Sequence, residues 1–135
     1  MARPASNRPT DGELAILRVL WRDGPSTVRQ VQQALATDRE VAYTTALKML
    51  QIMADKGLVE RDESRRTHVY RPAASQRETQ GLLARDLVDR AFEGSAASLV
   101  MRALSDQPAS SEEIAEIKAL LARMEDADGG NRDDD

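Results

Sequence analysis

Hydrophobic positions in this chain recur at helical spacing in six stretches. The first begins at Thr10, where Leu14, Leu17, Leu20 and Trp21 return every three or four residues with Ile16 beside them. That is the signature of one buried helix face. Thr10 and Glu13 form a T-x-x-E capping box, so the helix is expected to start there. Asp23-Gly24-Pro25 then reads as a turn. Val28, Val31 and Leu35 mark a second, shorter helix ending near Ala36. Ser26 or Thr27 caps it, and Gln30 completes a box from Thr27. After a polar link at 37–41, residues 42–57 carry Leu47, Leu50 and Met53 at three-residue steps, flanked by Ala46 and Ala54. Gly57 supplies the left-handed position that ends a helix.

The pattern then changes. Residues 58–62 and 67–71 read as two strands around a polar tip, Glu63-Ser64-Arg65-Arg66, and Pro72 stops the second. Three helices followed by a basic-tipped hairpin predict a winged helix-turn-helix over residues 10–72.

Helical spacing returns at Ser75, paired with Glu78 in another box. Leu82, Leu83, Leu87, Val88, Ala91 and Phe92 make a broad stripe up to Glu93-Gly94. A further helix is expected from 95 to 105, with Leu99, Val100, Ala103 and Leu104 on one face. Gln107-Pro108-Ala109 breaks it. Ser110 and Glu113 open the last helix, which carries Ile114, Ile117, Leu120, Leu121 and Met124. The expected fold is mainly α with a small β-hairpin: a flexible arm at 1–9, the winged helix at 10–72, a helical region at 73–125, and a disordered acidic tail at 126–135.

Three short amphipathic helices make a poor core by themselves. The simplest cover for their apolar faces is the same segment of a second copy, a two-fold dimer. Leu83, Leu87, Phe92, Leu99, Leu104, Ile117 and Leu121 are the expected dimerisation residues.

Charge sharpens this division. The 135 residues carry a net charge of −4, which by itself argues against a nucleic-acid partner. Yet residues 1–72 hold 12 Lys/Arg against 9 Asp/Glu, and residues 73–135 hold 7 against 14. The front half suits an anion; the back half does not. Cysteine is absent, which excludes disulfides, thiolate metal sites and a cysteine nucleophile, and suits a reducing, cytoplasmic setting. The single histidine, His68, argues against a catalytic triad or a multi-histidine metal site. No enzyme, cofactor or metal is expected. No apolar run is long enough to span a bilayer, and no signal peptide is visible.

The candidate chemistry lies on the polar face of residues 42–57. Thr44, Thr45, Lys48 and Gln51 present hydroxyls, a cation and an amide, groups that bond base edges or phosphates in a major groove. Tyr43, Thr44 and Thr45 fall in the first helical turn, where hydroxyls and backbone N–H groups reach a phosphate or a base edge. Gln51 suits adenine; Lys48 suits guanine or a phosphate. Ser26 and Thr27 are placed to hold phosphates, and Arg65 and Arg66 to track the backbone or the minor groove. The competing reading is a winged-helix module whose third helix docks a protein.

Several segments in this order resemble the penicillinase and methicillin-resistance repressor family. They are T-D-G-E-L-A-I-L-R-V-L-W, G-P-S-T-V-R-Q-V, V-A-Y-T-T-A-L-K-M-L, K-G-L-V-E-R and H-V-Y-R-P, and F-E-G-S-A-A-S-L-V is similar to the start of that family's dimerisation region. The resemblance covers about residues 10–124. It implies a homodimeric winged-helix repressor that sits on operator DNA and is released when a membrane sensor-transducer or its protease domain cuts the dimerisation region. Two positions depart from the family. Arg102-Ala103 stand at the candidate cleavage position, where the best-studied members carry Asn-Phe, and Ile52 stands where relatives often carry Arg. A copper-responsive branch uses cysteine, which this chain lacks.

Overall fold

The computed structural model describes residues 8–37 and 40–133. The expected arm at 1–9 therefore lies almost wholly outside the described residues, as do the last two residues of the expected tail. Arg8 is described, and its guanidinium pairs with the Asp86 carboxylate.

Helix α1 spans Asp11–Asp23 and opens on the expected box. The Thr10 hydroxyl accepts from the Glu13 amide at 3.2 Å, and the Thr10 amide donates to Glu13 Oε1 at 2.9 Å. Helix α2 spans Val28–Leu35, with Thr27 rather than Ser26 as its cap. Helix α3 spans Tyr43–Lys56. It ends in a Schellman arrangement: Gly57 sits at φ 82°, its amide bonds Ala54 O, and the Leu58 amide bonds Met53 O at 2.9 Å.

The hairpin strands are β2 (Val59–Asp62) and β3 (Val69–Pro72), paired antiparallel with Arg61 opposite Tyr70. The sheet contains a strand the sequence did not reveal. Ser26–Thr27 form β1 and pair with the other side of β3, giving the order β1-β3-β2. Two residues are too few to show alternation, so only the pairing identifies them. The short reach of β1 also explains how a proline ends the central strand. Pro72 lies beyond the Ser26–Tyr70 pair, so on that side no partner needs its missing N–H.

One core joins these elements: Ile16, Leu17, Val19 and Leu20 from α1, Val28, Val31 and Leu35 from α2, Ala46, Leu50 and Met53 from α3, and Val59 and Tyr70 from the sheet. Full burial of each larger side chain contributes about 1.5–3 kcal/mol. Trp21 is an edge anchor of this core, half-buried, its indole N–H donating to Ala74 O at 3.1 Å.

Helix α4 spans Gln76–Ala91, α5 Ala96–Asp106 and α6 Ser111–Asp133. The first compact unit extends past Pro72 to Asp86, and the second begins at Leu87. Thr79, buried at 9% exposure, belongs to the first unit. In the second unit α6 continues well beyond 125, where a disordered tail was expected. Helix elongation adds one hydrogen bond per residue on an existing nucleus, so two glycines at 129 and 130, each costing about 1 kcal/mol, do not end it.

Candidate nucleic-acid interface

The inner face of α3 is fixed by Ala46, Leu50 and Met53, all fully buried. Its end is tied to α1 by an ion pair. Lys56 Nζ lies 2.6 Å from Glu13 Oε1, and the Glu13 side chain is only 7% exposed. Burial alone raises the Glu13 pKa and is the largest single influence. The hydrogen bonds from Lys56 and Thr10 and the Lys56 charge together outweigh it, leaving the carboxyl below its ordinary value. The start of α3 is held from the other side, where Gln32 Nε2 donates to Val41 O at 3.2 Å.

With its inner face locked, α3 must turn its other face outward. Thr44, Thr45, Lys48 and Gln51 are all exposed, as the period of the sequence required. Ile52 is exposed at 44% and Tyr43 at 41% on the same helix. The cap residue Ala42 has no side-chain acceptor, so no cap side chain meets the first amides of α3.

At the wing, Arg65 and Arg66 are exposed. The arginines nearer the strands are occupied: Arg61 pairs with Glu63 at 2.6 Å and Arg71 with Glu60 at 3.0 Å. The turn is shaped by Asp62, whose carboxylate accepts from the Ser64 amide at 2.9 Å. That carboxyl is held below its ordinary value, mainly by hydrogen bonds from Ser64.

One sequence expectation fails here. Ser26 is 4% exposed and its hydroxyl donates to Gly24 O at 2.8 Å, because β1 draws it into the sheet. Its side chain is spent on the fold and cannot hold a phosphate. Thr27 differs. Its oxygen accepts from the Gln30 amide at 3.2 Å, and the residue is half-buried, so the hydroxyl proton remains free to donate. Arg29 was missed. It lies over the Tyr43 ring with its guanidinium carbon 5.6 Å from the centroid. Helical spacing alone marks it only as a solvent-facing residue of α2.

In the second unit, none of the expected dimerisation residues is buried within one chain. Leu87, Leu104 and Leu121 are exposed at 45%, 38% and 53%. Leu99, Phe92 and Ile117 are half-buried, and Leu83, in the first unit, is likewise half-buried. Arg102 and Ala103 are exposed in the middle of α5, with Arg102 reaching Asp106 at 3.8 Å.

A helix seated on a three-helix core, turned outward beside a basic-tipped hairpin, defines a winged helix-turn-helix protein. The chain belongs to the penicillinase repressor family, whose signature it matches over residues 9–123. It is 35% identical over 124 residues to the transcriptional regulator BlaI of Mycobacterium tuberculosis, covering 90% of this chain and 88% of that one. To the penicillinase repressor of Bacillus licheniformis it is 24% identical over 112 residues, covering 83% and 88%. A transcriptional regulator of Thermotoga maritima in crystal form aligns with a TM-score of 0.46 at 16% identity, over 90% of this chain and 77% of that one. The family is one of transcriptional regulators, and the chain is not an enzyme. No helix among the described residues is long and apolar enough to cross a membrane.

Proposed function

We propose that this chain is a homodimeric repressor that reads a palindromic promoter operator with α3 and grips the duplex with its wing. The observation that carries the reading is the outward face of α3: Thr44, Thr45, Lys48 and Gln51 stand exposed on a helix whose opposite face is locked into the core. Thr44 and Thr45 contact base edges and thymine methyls; Lys48 and Gln51, further along, meet guanine or phosphate and adenine. The first amides of α3, unmet by a cap side chain, suit a phosphate oxygen. The Tyr43 hydroxyl and Thr27 add contacts at the helix starts, and Arg65 and Arg66 follow the backbone or the minor groove.

The apolar faces of α5 and α6 take a second copy, which sets two reading helices about one DNA turn apart. Release by a sensor-transducer or protease has to act on a helix, because the Arg102-Ala103 bond lies inside α5. Cutting there requires that turn to open first. The work of such a regulator belongs in the cytoplasm.

A gel-shift titration of the full chain against its own promoter fragment, with random duplex as competitor and salt varied, tests the proposal. The expected result is a discrete complex that outlasts competitor and weakens steeply with salt. Failure to bind any duplex at low salt overturns it in favour of a protein-docking module.

A further inference from the structure

We propose that Arg29 grips a DNA phosphate and that the Tyr43 ring is the platform that positions it. The inference rests on the DNA reading above and adds a residue absent from it. Arg29 is the second residue of α2 and Tyr43 the first of α3, and the guanidinium carbon sits 5.6 Å from the ring centroid. That distance is within cation–π range. The stack is at the surface: Arg29 is exposed and Tyr43 is 41% exposed. Its function is therefore not core packing.

The charge of Arg29 is also unspent. Arg8, Arg61, Arg71 and Arg102 are each paired with a carboxylate of their own chain. Among the described residues Arg29 has the ring contact and no ion pair. The contact with the ring uses none of the guanidinium's N–H donors in a hydrogen bond. Their fork matches two oxygens of a phosphate. Stacking also restricts the side chain before the ligand arrives, so less freedom is lost on binding. Thr27, two residues earlier, offers a hydroxyl proton to the same class of ligand. A cation held ready on the first residue of the reading helix, with no ion pair among the described residues, fits a polyanion.

The test measures how affinity depends on salt for the full-length protein, using its own promoter fragment and a random 30-base-pair duplex. R29Q and Y43A are each expected to flatten the log–log slope by about 0.9 per bound protomer, one phosphate contact on B-DNA. The double variant is expected to flatten it no further, because Tyr43 acts through Arg29. Y43F keeps the ring and is expected to keep the slope. T45A, placed against bases, is expected to keep the slope while losing preference for the promoter. Thermal melts of each variant identify any that fail to fold, and for those the milder R29M and Y43L replace them, R29M keeping an apolar stem without the charge. An unchanged slope in folded R29Q overturns the inference and leaves the stack as a staple between α2 and α3. Additive losses in the double variant overturn the platform role of Tyr43. In either case an intact T45A effect leaves the DNA reading standing, whereas no binding by the unaltered protein sinks both.

Discussion

Glu13 shows how much one side chain can determine. It caps α1, pairs with Lys56 of α3, and is nearly buried while doing so. Because its carboxyl titrates below the ordinary value of 4.5, the unfolded chain binds its proton more readily than the folded one. Stability from this group is thus fully present above 4.5 and is lost as pH falls through that value and then through the lower folded one. E13Q keeps an acceptor for the Thr10 amide but loses the charge. At neutral pH it is expected to cost about 1–2 kcal/mol, the loss of a charge-assisted bond to a half-exposed lysine. In thermal melts the gap between the two proteins is expected to close as pH drops below 4.5. A gap that stays constant across that range assigns the pair no charge-linked stability. The same residue marks a limit of sequence reading. Its capping role is visible in T-x-x-E spacing, but Lys56, 43 positions away, is not.

At the scale of elements, the wing and the reading helix make separable contributions. The double variant R65A/R66A removes two exposed cations from a tip whose turn depends on Asp62 and Ser64, so the fold is expected to survive. Binding is expected to weaken alike on every sequence, with the salt slope reduced by about one unit per lost contact. Relaxed specificity instead assigns the wing a base-reading role. T45A is expected to cost about 1–3 kcal/mol on the promoter and little on random DNA, measured by competition. G57A places a side chain at φ 82° and is expected to destabilise by about 1 kcal/mol in a chemical melt. Elements with a period or a cap were legible in the sequence: α1 to α3, the hairpin, and the outward Thr44, Thr45, Lys48 and Gln51. Those that depend on pairing across the fold were not. Ser26 reads as a cap or a phosphate holder until β3 claims it as a strand, and Arg29 gains meaning only when Tyr43 is found beneath it. Helix α6 runs to Asp133 through a stretch whose Gly and Asp content alone reads as a tail, because elongation on a helix already formed is cooperative.

At the scale of the whole molecule, the two units differ in kind. The first buries a core of twelve hydrophobic residues. In the second, α5 has no buried residue, and Met101 and Met124 are exposed at 69% and 59%. Apolar side chains left this exposed suit the proposed pairing with a second copy. The back half of the sequence carries 14 acidic against 7 basic residues, so two copies meeting there repel each other. Salt screens that repulsion and also screens attraction to DNA. Assembly is therefore expected to strengthen with salt over the range in which operator binding weakens. Leu121 is 53% exposed in the single chain, so L121K introduces a charge that the protomer tolerates and that the proposed dimer is expected not to tolerate. Sedimentation is expected to show the variant as a monomer at concentrations where the parent is paired. Without the link between two reading helices, affinity for a palindromic fragment is expected to fall by about 10²-fold or more. Affinity for a fragment with one half-site should be unchanged. A variant that stays paired shows that α6 is not the interface. A monomer that keeps full palindrome affinity shows that each half-site is read alone, and pairing then serves a purpose other than recognition.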